Sequence, residues 1–361
     1  MRIVFSTDTI SRGGKERQIS ILAKYIQDRG IYHIILAKRI ISGNNFFQEY
    51  NISEGQINIY ADYKSYHNII KEKRPDVVVS WDIKSSLYNI LLYKKYGFKF
   101  INGSIRHGIR LFKPSHIYRS LLCHLSPYVI SNSLAGLRVN NLKPGDRKFV
   151  LYNGVETKFR NNLSAKEKED LKKLLIPGYT NNPGFVFISI ANFVPYKDYF
   201  TIFRALAKLK AKQYFNYFIV GDGPMRPAIE AQINDFNLQE NVILVGRTEK
   251  VNEYLFSSDL MIHSSRGEGI SNAILEAMYA GLPVIATNVG GVPETVYPGS
   301  SLLFPYKDHE ALYQCLLKSQ ELKESFDPDS EDYQAHLRKF SVETMVRRFE
   351  EIIDIVTKKR N

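Results

Sequence analysis

Two glutamates, Glu268 and Glu276, stand eight positions apart across what reads as a change from loop to helix. Glu268 lies between Gly267 and Gly269, so its backbone is free to take conformations closed to other residues and to approach a ligand closely. Ser271 and Asn272 are good N-cap types, Ala273 to Ala280 is rich in helix formers, and Gly281 followed by Pro283 reads as the stop. The stretch predicts a loop carrying Glu268, then a short helix whose first amides point into the same space. A helix N-terminus is a ready site for an anion. Glu276, one to two turns in, can reach back along the helix face. Carboxylates accept hydrogen bonds from sugar hydroxyls while amides and cations hold a diphosphate, so the arrangement suits a sugar nucleotide.

The pair Glu268 and Glu276, with Pro283-Val-Ile-Ala-Thr287 and Gly290-Gly-Val-Pro-Glu294 after it, resembles the E-x7-E block of the retaining glycosyltransferases of family 4 (glycosyl transferases group 1). The likeness spans nearly the whole chain and is dense from Asn192 to Glu294. It implies an α/β chain of GT-B architecture, two Rossmann-like doubly wound domains facing a central cleft. It also implies an activity: a hexose-type sugar moves from a nucleoside-diphosphate sugar to an acceptor hydroxyl with retention, in surface polysaccharide or glycolipid synthesis. By that resemblance Glu276 holds the ribose and Glu268 is catalytic, holding the hydroxyls of the transferring sugar. Gly269, Ile270 and Ser271 present the helix amides to the donor. No cofactor or metal is expected; the one Asp-x-Asp is Asp327-Pro-Asp329, in an acidic loop.

The family stretch corresponding to Asn192-Phe-Val-Pro-Tyr-Lys-Asp198 usually offers an arginine and a lysine to the diphosphate. Lys197 matches the lysine, but no arginine occurs between Ala191 and Lys197, and Asn192 or Val194 stands in its place. Arg247, Lys250 and Arg266 are candidate substitutes among which the sequence does not choose. Nearer the start, Gly13 and Gly14 in Ser11-Arg-Gly-Gly-Lys-Glu16 join a first strand to a first helix, where open α/β sheets bind ligands. They resemble the family's glycine-rich loop facing the donor diphosphate. In Gly103-Ser-Ile-Arg-His-Gly-Ile-Arg110, read as the loop after a strand ending at Asn102, His107 matches a family histidine near donor sugar and acceptor. Arg106 and Arg110 are placed to hold an anionic group on the acceptor or the membrane. Gly221-Asp-Gly-Pro-Met-Arg226 is family-like and also a partial dinucleotide fingerprint whose third glycine is missing, which argues against a nicotinamide enzyme.

The positioning elements alternate between strand and helix signals, as a parallel doubly wound sheet requires. Short apolar strands are expected at Arg2 to Ser6, Ile31 to Ala37, Asp76 to Ser80, Phe185 to Ala191, Leu260 to His263 and Val284 to Thr287. Residues 1–156 form an acceptor domain, rejoined by a C-terminal helix from about 340 to 361, and 157–339 a donor domain. Asp308 to Lys323 reads as one helix, Asp327 to Asp332 as a mobile acidic link, and Asn44 to Gly55 has no clear assignment.

Of the 361 residues, 44% are hydrophobic and 24% charged, values for a folded protein. No run approaches the roughly 18 apolar residues of a membrane span, and Met1 to Asp8 turns polar too soon for a signal peptide. Cys123 and Cys315 are two and far apart, which fits a reducing compartment and a cytoplasmic protein. The charge is uneven. Residues 1–160 carry 26 Lys and Arg against 11 Asp and Glu, a net +15, and residues 161–361 carry 23 against 26, a net −3. Such asymmetry points to an anionic partner for the first half. Lys94 to Arg119, where Lys and Arg interleave with aromatics, suits the inner face of an anionic membrane and a lipid-linked or saccharide acceptor. No nucleic-acid-binding module is recognisable, so nucleic acid is not an expected partner. An epimerase-like nucleotide-sugar enzyme and a catalytically silent sugar-nucleotide binder are the competing readings.

Overall fold

A computed structural model describes residues 1–41, 46–109, 114–159, 162–180 and 184–358. The chain divides into two compact units, Met1–Gly154 with Val342–Asn361, and Val155–Ser341.

Among the described residues, unit 1 holds seven parallel strands: β1 (Arg2–Ile10), β2 (Tyr32–Ile40), β3 (Ile57–Ile59), β4 (Val77–Ser80), β5 (Lys99–Ile105), β6 (Tyr128–Ser131) and β7 (Lys148–Val150). Their order is β3-β2-β1-β4-β5-β6-β7. Unit 2 holds six: β8 (Phe185–Ile190), β9 (Phe215–Val220), β10 (Val242–Gly246), β11 (Leu260–His263), β12 (Val284–Thr287) and β13 (Ser301–Phe304), in the order β10-β9-β8-β11-β12-β13. Both are doubly wound α/β sheets. Strands such as Val77-Val-Val-Ser80 and Val284-Ile-Ala-Thr287 are buried throughout, which is why they are continuous apolar runs rather than alternating ones. The strand order reverses between β1 and β4 and between β8 and β11. Loops beyond the carboxyl ends of strands at such a switch point are where ligands bind.

The core of unit 1 joins Phe5, Ile35 and Val79 to Met345, Val346, Phe349, Ile352, Ile353 and Val356 of the helix Val342–Thr357. The Phe5 and Phe349 rings lie 5.9 Å apart. Where the chain leaves unit 1, the Gln18 amide donates to the Gly154 carbonyl (3.0 Å) and accepts from its N–H (2.9 Å).

Several expectations change. β1 and β2 run past Ser6 and Ala37 to Ile10 and Ile40, where Thr9 pairs with Arg39 and Ile10 with Ile40. β5 does not end at Asn102 but runs to Ile105, because Ile105 pairs with Ser131 across a register shift. The segment from Asp308 is two helices, His309–Leu317 and Ser319–Ser325, broken at Lys318. The acidic link is ordered: the Asp327 carboxylate accepts from the Asp329 N–H (2.9 Å), and a helix, Glu331–Arg338, follows. Its Tyr333 is fully buried and donates to the Met278 carbonyl (2.7 Å). Within the unassigned stretch lie a short helix, Phe46–Glu49, and a turn, Glu54–Gln56, leading into β3. Among the described residues, no helix is long and apolar enough to cross a membrane.

Candidate donor site

In unit 2 the loop after β8 is zipped onto the loop after β11. Asp198 donates its N–H to the Ser264 carbonyl (3.0 Å), and Arg266 donates to Tyr196 (2.8 Å). Lys197 is thereby bridged to Ser265. Below this seam, the Thr287 hydroxyl of β12 accepts from the Ser265 N–H (3.1 Å) and donates to its carbonyl (3.0 Å). The Gly291 N–H donates to the Glu268 carbonyl (3.1 Å) and so fixes the Glu268 loop.

These contacts deliver three side chains to one point. Lys197 Nζ lies 2.5 Å from Glu268 Oε1, His263 Nε2 lies 3.2 Å from the same oxygen, and Lys197 Nζ and His263 Nε2 are 3.3 Å apart. His263 is buried, and the side chains of Lys197 and Glu268 are only 11% and 13% exposed. Burial alone would raise the Glu268 carboxyl, but the Lys197 ammonium and the His263 hydrogen bond outweigh it and hold the group well below the usual carboxylate range. Burial, and then the positive charge of Lys197, push His263 below its ordinary value, against the pull of Glu268. His263 is therefore neutral at pH 7, and its Nε2 either donates to Glu268 or accepts from Lys197, not both. The sequence did not single out His263, whose only signal was a strand ending in histidine five residues before a glutamate.

Gly269 and Ile270 are buried on the approach to the helix Asn272–Tyr279. Ser271 is its N-cap, and its hydroxyl makes no capping bond. Glu276 sits on the buried side of this helix, just past its first turn. Arg247, after β10, and Arg266 are exposed and form no ion pair with a described residue, whereas Lys250 lies 3.5 Å from Glu253. Asn192 is exposed, and its neighbour Phe193 is fully buried. The glycines of the partial dinucleotide motif serve packing. Gly221 has φ +139° and an added Cβ would meet the Ala191 carbonyl at 1.9 Å; Gly223 has φ +159° and would meet that of Phe193 at 2.6 Å.

Unit 1 carries the remaining candidates. Gly13 caps the helix Gly14–Asp28 with φ −104°, which any residue adopts; what favours glycine is Glu16, whose Oε2 an added Cβ would meet at 2.4 Å. Gly14 is exposed at the first position of that helix. Beside them is a charge network the sequence reading missed. Lys15 Nζ donates to Asp82 Oδ2 (2.7 Å) and to the Thr7 hydroxyl (2.8 Å), and the Asp8 N–H donates to the same Asp82 oxygen (2.8 Å). Burial and the Asp82 charge raise the Asp8 carboxyl; burial also acts on Asp82, but Lys15 brings it down. His107 is half-buried just past β5. The Arg106 guanidinium lies 4.7 Å over the Trp81 ring, with Nε and Nη2 buried and unpartnered. They line a small recess with Asn132 and Tyr152. Arg110 and Lys113 lie outside the described residues.

Two doubly wound parallel sheets, with loops at the switch points carrying the polar side chains, define a GT-B chain. The glycosyl transferases group 1 family model matches residues 184–320, inside unit 2. N-acetyl-alpha-D-glucosaminyl L-malate synthase of Bacillus anthracis is 29% identical over 178 residues, 48% of this chain and 44% of that protein. The amylovoran biosynthesis glycosyltransferase AmsD of Erwinia amylovora is 29% identical over 118 residues, 32% of this chain and 34% of that protein. The chain thus spans under half the length of either relative. The crystal structure of Anabaena HepE in complex with UDP-glucose is similar in fold, with a TM-score of 0.81 and 20% identity over 98% of this chain and 99% of that one. The fold is that of GT-B chains, and unit 2 is similar to the glycosyl transferases group 1 family; family 4 is consistent with both.

Proposed function

We propose that this chain is a retaining glycosyltransferase that moves a hexose-type sugar from a nucleoside-diphosphate sugar to an acceptor hydroxyl. The observation that carries the reading is the buried Lys197–Glu268–His263 contact at the end of β11, directly before the helix that bears Glu276. Unit 2 is the donor unit. Lys197 and the amides of the helix Asn272–Tyr279 take the diphosphate, the largest developing charge of the reaction. Glu276 takes the ribose. Glu268, released from Lys197 as the ammonium turns to phosphate, takes the sugar hydroxyls. The anomeric C–O bond to the diphosphate breaks, a new C–O bond to the acceptor forms on the same face, and the acceptor's hydroxyl proton passes to an oxygen of the departing diphosphate. The donor is a substrate; no separate cofactor or metal enters.

Unit 1 is the acceptor unit, and the resemblance gives Gly13 and Gly14 a role with the diphosphate, His107 one with the sugar and Arg106 one with an anionic group of the acceptor. HepE was crystallised with UDP-glucose and the Erwinia relative is named for amylovoran biosynthesis. Both support a nucleotide-sugar donor and a role in surface polysaccharide or glycolipid synthesis. A cytoplasmic chain working at the inner face of an anionic membrane, on a lipid-linked acceptor, fits the +15 of residues 1–160.

The test is a thermal-shift screen against UDP-, GDP-, ADP- and dTDP-sugars, where a ligand at 100 times its dissociation constant stabilises by about 2.7 kcal/mol. Turnover of the best donor is then measured with and without polyprenyl-diphosphate-linked acceptors. A shift with one donor class and product with an α-linkage from an α-donor support the reading. No shift with any of the four, or product of inverted configuration, removes it.

A further inference from the structure

The helix Pro114–Leu125 has two faces, and both are apolar. Leu122 and Cys123 are buried against unit 1. On the outer side Ile117 is 70% exposed, Leu121 53% and Leu125 55%. Spaced four apart, they form one stripe along the helix, with Tyr118 beside it at 40%. The neighbouring helix Ile83–Tyr96 packs against this one and carries a further exposed leucine, Leu91, at 57%. A helix on a soluble surface normally turns charge outward, and a contiguous exposed apolar stripe marks a surface with a partner.

The surrounding charge says which partner. Between Asp82 and Asp146 the sequence has ten Lys and Arg and not one Asp or Glu. Lys94 and Lys95 lie within one turn of Leu91, and both are exposed. A run of cations without a carboxylate in the sequence that carries the apolar stripe matches an anionic lipid leaflet, where the stripe enters the acyl boundary and the ammonium groups meet headgroups. A second copy of the chain fits poorly, since a symmetric contact would set the same cations against themselves.

We propose that the outer face of the helix Pro114–Leu125, with Leu91 of the neighbouring helix, is a docking surface for an anionic lipid leaflet. Ile117, Leu121 and Leu125 insert, and Lys94 and Lys95 rest on the headgroups. The inference rests on the membrane part of the proposed function and not on the transfer reaction.

The experiment is flotation of the full chain with vesicles of phosphatidylcholine alone or mixed with phosphatidylglycerol. The unmodified chain floats with the anionic vesicles and is released by salt. The triple variant Ile117→Ser, Leu121→Ser, Leu125→Ser loses about a hundredfold in vesicle affinity, as expected when three half-exposed aliphatic side chains no longer find a hydrocarbon phase. Its melting temperature and nucleotide-sugar binding stay unchanged. In a second variant, Leu121→Trp, emission shifts to the blue with anionic vesicles and is quenched by brominated acyl chains; the single native Trp81 is buried and gives a constant background. Vesicle binding by the triple variant equal to that of the unmodified chain, or an unshifted emission, overturns the proposal. So does a concentration-dependent dimer that the triple substitution abolishes without any vesicle binding. A chain that floats but binds no nucleotide sugar refutes the transfer reading and leaves this surface standing.

Discussion

Replacing Lys197 with methionine should reverse the response of unit 2 to pH. Glu268 is buried, which by itself raises its carboxyl, and Lys197 at 2.5 Å with His263 at 3.2 Å brings it far below the ordinary value near 4.5. A carboxylate with a depressed folded pKa contributes stability that is fully present above its unfolded pKa and is lost as pH falls through the folded one. That folded value is so acidic that between about pH 5 and about pH 8 the group adds no slope. Without the ammonium, burial prevails and the folded pKa rises above the unfolded value. The folded state then keeps a proton that the unfolded state has released, and stability declines as pH climbs towards the new folded pKa. His263 does not restore the pair, because burial, the largest influence on it, still disfavours its charged form. The slope has an upper limit of about 1.4 kcal/mol per pH unit for one proton. For a unit of this size that is about 3–5 °C in melting temperature per pH unit. Scanning calorimetry of wild type and Lys197→Met across this range, with the two units' transitions resolved, measures it. The double variant with Glu268→Gln should lose that decline. A single variant whose melting follows wild type at every pH, or a double variant that keeps the slope, would refute the assigned ion pair.

Glu276→Ala should weaken nucleotide-sugar binding by about 1.5–3 kcal/mol, the contribution of hydrogen bonds to a charged acceptor, as read by titration calorimetry. Glu268→Ala should lower turnover while nucleoside-diphosphate affinity stays within about twofold, a difference of only a few tenths of a kcal/mol; a large loss of affinity would move Glu268 to the phosphate grip. Gly221→Ala should destabilise unit 2 by more than about 1–3 kcal/mol, since backbone strain at φ +139° adds to the clash with the Ala191 carbonyl. Near-normal melting would contradict the packing role given to that glycine. Tyr333→Ala should cost about 3–5 kcal/mol, as for other fully buried aromatics, and unchanged urea unfolding would mean that the acidic segment is not anchored.

The strands were legible because a parallel strand covered on both faces is a continuous apolar run, and Leu260–His263 and Val284–Thr287 fall where the sequence put them. The Glu268 loop and the helix with Glu276 were legible from glycine, capping and helix-forming residues in succession. What stayed hidden depends on distant partners. Gly103 and Ser104 are poor strand formers, kept in β5 by pairing beyond them. The helix Glu331–Arg338 offers only Tyr333 and Leu337 as buried apolar positions, too few for a periodicity. The Lys15–Asp82 contact joins residues 67 apart, and no local pattern announces it. Gly221 and Gly223, whose dinucleotide fingerprint the sequence already left incomplete, yield backbone room to another loop of the same unit.

The helix Val342–Thr357 completes the core of a unit whose other residues all precede Val155. During synthesis, therefore, the wall that covers Phe5 and Val79 emerges only after all of Val155–Ser341 has been made. At about 5–20 residues per second, that delay is roughly ten to forty seconds. Unit 2 is contiguous in sequence and can close within this interval, while unit 1 waits with one face of its sheet open. The order of folding on the ribosome is then the reverse of the order of the units along the chain. A nascent chain arrested once Ser341 has cleared the exit tunnel should resist protease in unit 2 and be cut in unit 1; equal protection of both would show that unit 1 closes without its last helix.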